Sequence, residues 1–143
     1  MSKLLPKSLG TVRNSGDDSG RYKIYLYFRD RRCIGLCLAE HIIEAKRVLR
    51  TDVLDLHKSS SILTDSKTIV PAWIGISRIW VSRDHRRAGV ATALLQAVCK
   101  HFVDGGTQAR HAVAWSQPTQ SGAQLARRWF GRGDGWLVYD EQS

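Results

Sequence analysis

Arg86, Arg87, Gly89 and Ala91 fall within six residues, the first three of them in a turn that reads Arg83-Asp84-His85-Arg86-Arg87-Ala88-Gly89. An apolar run precedes this turn and a helical pattern follows it. Cationic side chains beside a helix start are suited to holding phosphate. The first backbone N–H groups of a helix lack intrahelical partners, and the helix dipole favours an anion there. Gly89 and Ala91 are small enough to let an anion approach the backbone closely. The alternative is a solvated basic turn ahead of a core helix. Other phosphate-binding patterns fit worse, because neither Gly-x-x-x-x-Gly-Lys-Ser/Thr nor Gly-x-Gly-x-x-Gly occurs.

The elements around the turn follow from residue pattern. Residues 76–81 read as a buried strand. Val90, Ala91, Leu94, Leu95, Val98 and Phe102 recur at helical spacing and predict a helix to about Val103. Upstream, residues 22–28 are rich in aromatic and β-branched types and predict a strand. Asp30-Arg31-Arg32 is the expected turn and residues 33–40 the return strand. Residues 41–49 read as helical or irregular, and residues 50–70 as a long loop closed by Pro71. Downstream, residues 109–115 predict a strand, residues around 123–130 a helix and residues 136–139 a final strand. Residues 1–20, broken by three glycines, read as a flexible or partial N-terminal part. The order predicts an α/β (α+β) domain with one mixed central sheet.

The 143 residues predict a single domain, 1–143. The net charge of +9 suits an anionic partner, whether nucleic acid, a phosphorylated cofactor or an acidic protein surface. No apolar run is long enough to span a membrane and the N-terminus lacks the apolar core of a secretory signal, so an intracellular protein is expected. Three cysteines argue against a disulfide framework. Cys33 and Cys37 would share a face of a strand and read as packing residues. No second Cys or His pair could close a tetrahedral zinc site, so no metal is expected.

Arg86-Arg87-Ala88-Gly89-Val90-Ala91 resembles the acetyl-CoA signature of the Gcn5-related N-acetyltransferases, which is Gln or Arg, two residues, Gly, one residue, then Gly or Ala. A narrower resemblance covers residues 22–139. Gly75-Ile76-Ser77-Arg78-Ile79-Trp80-Val81, the Arg pair, residues 34–41 with 45–48, Ser116-Gln117-Pro118-Thr119 and Leu137-Val138-Tyr139 are similar to the cohesin acetyltransferases that establish sister-chromatid cohesion. The resemblance implies the Gcn5-related fold, with N-terminal elements that look truncated. It implies acetyl-CoA as cosubstrate, lysines of the cohesin ATPase-head subunit as acceptors, and a nuclear location. Chromatin or replication factors are further partners it brings in, and direct nucleic-acid contact is open. The sequence departs from the family in two respects. No upstream zinc finger is present, and amides, Gln96 and Gln117, stand where carboxylates occur in some members.

The site implied by this resemblance has two parts. Arg86, Arg87, Ala88, Gly89, Val90, Ala91 and Thr92 would hold the CoA pyrophosphate. Ile79, Trp80 and Val81 would line the thioester and pantetheine, and Gln117, Pro118 and Thr119 would complete the cofactor site. Ser77 would position a reactant or a water, or simply hydrogen-bond a neighbour. Gln117 would bind rather than react, since an amide is no general base. An acceptor lysine, with an unperturbed pKa of about 10.4, must lose a proton before it attacks. Glu40 is the nearest intact carboxylate to accept it, with a surface salt bridge as the alternative reading. Two other functions fit the residues: acetyl transfer to another amine, or a basic non-enzymatic module that binds nucleic acid or protein.

Overall fold

The computed structural model describes residues 10–16, 20–52, 61–103, 106–116, 120–131 and 135–140. Eight described strands form one sheet: β1 (Thr11–Gly16), β2 (Tyr22–Arg29), β3 (Arg32–His41), β4 (Glu44–Asp52), β5 (Ser61–Pro71), β6 (Ile74–Val81), β7 (Val113–Ser116) and β8 (Leu137–Tyr139). Helix α1 (Val90–His101) joins β6 to β7, and α2 (Gln120–Phe130) joins β7 to β8. The strand order is β1-β2-β3-β6-β7-β8-β4-β5. The β6–β7 and β7–β8 pairs are parallel and the rest antiparallel. This is the mixed sheet expected from the element order, since a helix must separate parallel neighbours.

Helix α1 lies over β2, β3 and β6. Gly35 makes this approach feasible: a Cβ there would stand 2.6 Å from Val90 Cγ1 and 3.2 Å from Leu94 Cδ1. Beneath the helices lies the main core, which includes Tyr25, Cys37, Leu94, Leu95, Val98, Trp115, Trp129 and Trp136. A smaller cluster of Ala45, Ala72, Ala114, Leu137 and Tyr139 sits apart from it. Val113 and Trp115 belong to the main core and Ala114 to the smaller cluster. Because strand side chains alternate between faces, the two clusters occupy opposite sides of the sheet.

Three expectations need correction. Residues 41–49 are not helical, and residues 50–70 are not one loop. They contribute β4 and β5, which pair as an antiparallel ribbon at the sheet edge. Register shifts beside Val48 break the alternation by which a strand is recognised. Residues 11–16 are likewise a strand, paired with residues 23–28, although only Val12 packs against the core. Its polar side chains suit an exposed edge, and ladder hydrogen bonds hold it in place.

The cysteines differ too. The β2–β3 register pairs Tyr27 with Gly35 but Phe28 with Cys33, so Ile34 is an extra residue. That bulge reverses the alternation and puts Cys33 and Cys37 on opposite faces. Cys33 is exposed, while Cys37 and Cys99 are buried. Burial pushes the thiols of Cys37 and Cys99 up, with neighbouring Cys99 adding to the effect at Cys37 and Arg110 opposing it at Cys99. A thiol must ionise to react. A thiol reagent at neutral pH should therefore label Cys33 alone in the folded protein and all three cysteines once it is unfolded. Mass spectrometry of labelled peptides reads this directly, and fast labelling of Cys99 would contradict the packing of α1.

Candidate active site

The site is built where β6 hands over to α1. Strand β6 is paired with β3 along its length, out to Val81 opposite Gly35. On its other edge it pairs with β7 only from Ile74 to Ile76. Beyond Ile76 the pairing stops, β7 ends at Ser116, and no described strand pairs with residues 78–81 on that side. We call this β6 edge, which lacks a described strand partner, together with the end of β7 beside it, the wedge. An extended ligand carrying amide groups could add to such an edge as a strand would. Ile79 and Val81 are half-buried against the main core, and Trp80, at 49 % exposure, lies on the opposite face.

The turn after β6 is fixed by its own hydrogen bonds. Ser82 N–H donates to the Ile34 carbonyl at 2.8 Å, and His85 N–H to the Ser82 carbonyl at 2.9 Å. The His85 ring lies 3.3 Å from the Ser82 hydroxyl, between Nδ1 and Oγ. Arg86 reaches back, donating from Nε to the Val81 carbonyl at 3.2 Å. Arg87 and Gly89 both take left-handed backbone conformations, with φ of 62° and 83°. A Cβ on Gly89 would meet nothing, so glycine is favoured there for conformation and not for space.

Gly89 then caps α1, whose first turn carries no acidic residue and no side-chain cap. The first intrahelical bond runs from Ala93 N–H to the Gly89 carbonyl at 3.0 Å. The N–H groups of Val90, Ala91 and Thr92 thus precede the first intrahelical bond and lie at the positive end of the helix dipole, next to two exposed arginines. Left-handed turns of this kind also gather N–H groups into anion-binding concavities. The arrangement can hold a phosphate or pyrophosphate at the mouth of the wedge.

Most of the anticipated site residues converge here. Ile79, Trp80 and Val81 line the wedge, and Arg86 to Thr92 form the turn and helix start. Ser77, half-buried, is the first residue past the point where β6 and β7 separate. Gln117, Pro118 and Thr119 lie outside the described residues, but Ser116 before them ends β7, next to Tyr139 of β8. Gln96 is exposed on α1.

Glu40 is not on the surface. It is 2 % exposed at the end of β3, opposite Gly75, and Arg21 Nη2 lies 3.3 Å from its Oε2. Two features of this neighbourhood escaped the sequence reading. One is the burial of Glu40. The other is the contact of Tyr139 with Gly75, where a Cβ would stand 2.5 Å from the ring. Neither has a local signal, since both depend on strands distant in sequence. Among the described residues no three His, Cys, Asp or Glu side chains cluster as a metal site.

Comparison with known proteins agrees with this geometry. Residues 70–139 match the family model described as ESCO1/2 acetyl-transferase. The chain is 38 % identical over 122 residues to the N-acetyltransferase eco of Drosophila melanogaster, covering 83 % of this chain and 11 % of that protein. It is 36 % identical over 118 residues to the N-acetyltransferase ECO1 of Saccharomyces cerevisiae, covering 76 % of this chain and 38 % of that one. The chain thus spans well under half the length of these relatives. Among solved structures, it superposes on the xEco2 acetyltransferase domain bound to a CoA conjugate with a TM-score of 0.75 and 31 % identity. That match covers 90 % of this chain and 74 % of the other. With 74 % of that domain matched at 31 % identity and residues 70–139 matching the family model, the chain belongs to the ESCO1/2 family of cohesin acetyltransferases.

Proposed function

We propose that this chain transfers the acetyl group of acetyl-CoA to lysine side chains of a protein, and that the acceptor is the ATPase head of cohesin. The observation that carries the reading is the strand–turn–helix site: a wedge along residues 78–81 that leads to an uncapped helix start flanked by Arg86 and Arg87. In this reading the helix-start amides and the two arginines hold the CoA pyrophosphate. The pantetheine lies along the open edge of β6, and an amide near Ile79 to Val81 donates to the thioester oxygen as it gains charge. Ser77 positions a reactant or water. Gln117, Pro118 and Thr119 complete the cofactor pocket. The setting is the nucleus, where sister-chromatid cohesion is established.

The test is to incubate the chain with acetyl-CoA and the cohesin head and to map acetyl-lysine by mass spectrometry. Acetylation of head lysines supports the full reading. CoA binding with acetylation of other amines only would keep the chemistry and reject the acceptor. A third result, no CoA binding but salt-sensitive retention on nucleic acid, would favour a basic binding module, to which the +9 charge is also suited.

A further inference from the structure

We propose that Glu40 takes the proton of the acceptor lysine during acetyl transfer. The proposal rests on the acetyl-transfer reading above and supplies the group that reading lacks. Neither Gln96 nor Gln117 can accept a proton, because an amide is not basic at neutral pH.

Glu40 is the one buried polar or charged side chain among the described residues. Its Oε2 faces Arg21, while its Oε1 is buried with no hydrogen-bond partner among the described residues. Leaving a buried charged acceptor unmatched is costly, and one half-exposed partner does not offset it. A second partner is therefore expected at Oε1, and the position of Glu40 indicates which.

Register places Glu40 directly opposite Gly75 on β6, so the two share a face of the sheet. Ile76 points into the main core beneath the helices. By alternation, Gly75 and Ser77 project to the other face, the face of Glu40. Glu40 and Ser77 are thus diagonal neighbours, about 7–8 Å apart at Cα and within reach of a long side chain. The ladder between them is irregular: Leu38 pairs with Arg78 and Ala39 with Ile76, so Ser77 is an extra residue. Such a bulge re-aims side chains and backbone locally. Ser77 is also where β6 leaves β7. The carboxylate therefore lies beside the inner end of the wedge in which the thioester would sit. Gly75, lacking a Cβ, lets the Tyr139 ring pack against β6 directly opposite Glu40.

The lysine ammonium gives one proton to Glu40 Oε1. The freed nitrogen lone pair attacks the thioester carbonyl carbon and forms the C–N bond. The C–S bond breaks with its electron pair left on sulfur. A second amine proton goes to that thiolate, giving CoA thiol. Glu40 then returns its proton to solvent.

Glu40→Gln retains size and removes proton acceptance. The expected result is a kcat for acetylation of the cohesin head lowered about 100- to 10,000-fold, the range for loss of a general base. CoA affinity should be unchanged. The defect should shrink as pH rises from 7 toward about 10, because lysine itself then deprotonates in solution. The titratable groups facing Glu40 are Arg21, Tyr22 on β2, Arg78 on β6 and Tyr139 on β8. A merely structural Glu40 would give a lower melting temperature and no pH-dependent narrowing. Transfer by Glu40→Gln within about threefold of the unsubstituted chain, or a defect constant with pH, overturns the proposal. Should Glu40→Gln not fold, Glu40→Asp keeps the carboxylate and is read in the same way: a defect that narrows with pH supports the role, and one that does not overturns it. If the unsubstituted chain binds no CoA and transfers nothing, the acetyl-transfer reading itself fails, whatever Glu40 does.

Discussion

An Arg86→Ala, Arg87→Ala double variant is expected to bind CoA about 10- to 100-fold more weakly than the unsubstituted chain and to melt at nearly the same temperature. Each charge-assisted contact to a phosphate oxygen contributes about 1.5–3 kcal/mol when fully made. Both arginines are exposed, so solvent and salt screen the interaction and the lower part of that range applies. Binding should not vanish, because the amides at the start of α1 are untouched by the substitution. Stability should hardly change. Among the described residues, no carboxylate lies within ion-pair distance of either arginine, and the bond from Arg86 to the Val81 carbonyl is a single exposed one. Titration calorimetry at two salt concentrations checks this. Unchanged affinity would reject the turn as the phosphate site. A large loss of melting temperature would mean the arginines act on the fold.

The second large effect is on stability. Trp136→Ala should cost about 3–5 kcal/mol and lower the melting temperature by about 10–20 °C. Trp136 is fully buried and is among the largest side chains in the core. Its carbonyl accepts from Val48 N–H at 2.8 Å, and Gly135 N–H donates to the Val48 carbonyl at 2.8 Å. The residue thus sits where β8 meets the β4–β5 ribbon. Removing the indole would leave a cavity at that junction, and the backbone bonds would hold the gap from closing fully. A thermal melt followed by circular dichroism gives the answer. A shift of only a few degrees would mean that the ribbon packs more loosely than described. Against a typical total stability of 5–15 kcal/mol, the expected loss is large enough to lower the folded population in cells.

These effects also separate the kinds of information in the chain. The phosphate turn is an exposed local device, so its residues are adjacent in sequence and its function could be read from them. Trp136 has its effect through β4, nearly ninety residues away, and its sequence neighbours gave no hint of the partner.

What the amino-acid order determined by itself was local. The 22–28 and 33–40 hairpin, the strand before the basic turn, the helix from Val90 and the helix carrying Ala123, Ala126 and Trp129 all follow from residue periodicity. In each, the burying face repeats within a few residues, so pattern and structure coincide. The family resemblance rests partly on these segments and partly on residues 45–48, 116–119 and 137–139. Tertiary structure alone decided the rest. It turned residues 44–71 into an edge ribbon, where pairing between strands outweighs a broken alternation. It introduced the extra residues at Ile34 and Ser77, which reverse or re-aim side chains and so moved Cys33 out of the core. It ended the pairing of β6 with β7 at Ile76 and left the β6 edge beyond it without a described strand partner. Finally it buried Glu40 opposite Gly75, because the partners that enclose a carboxylate come from strands far apart in the chain, and only the closed sheet brings them together.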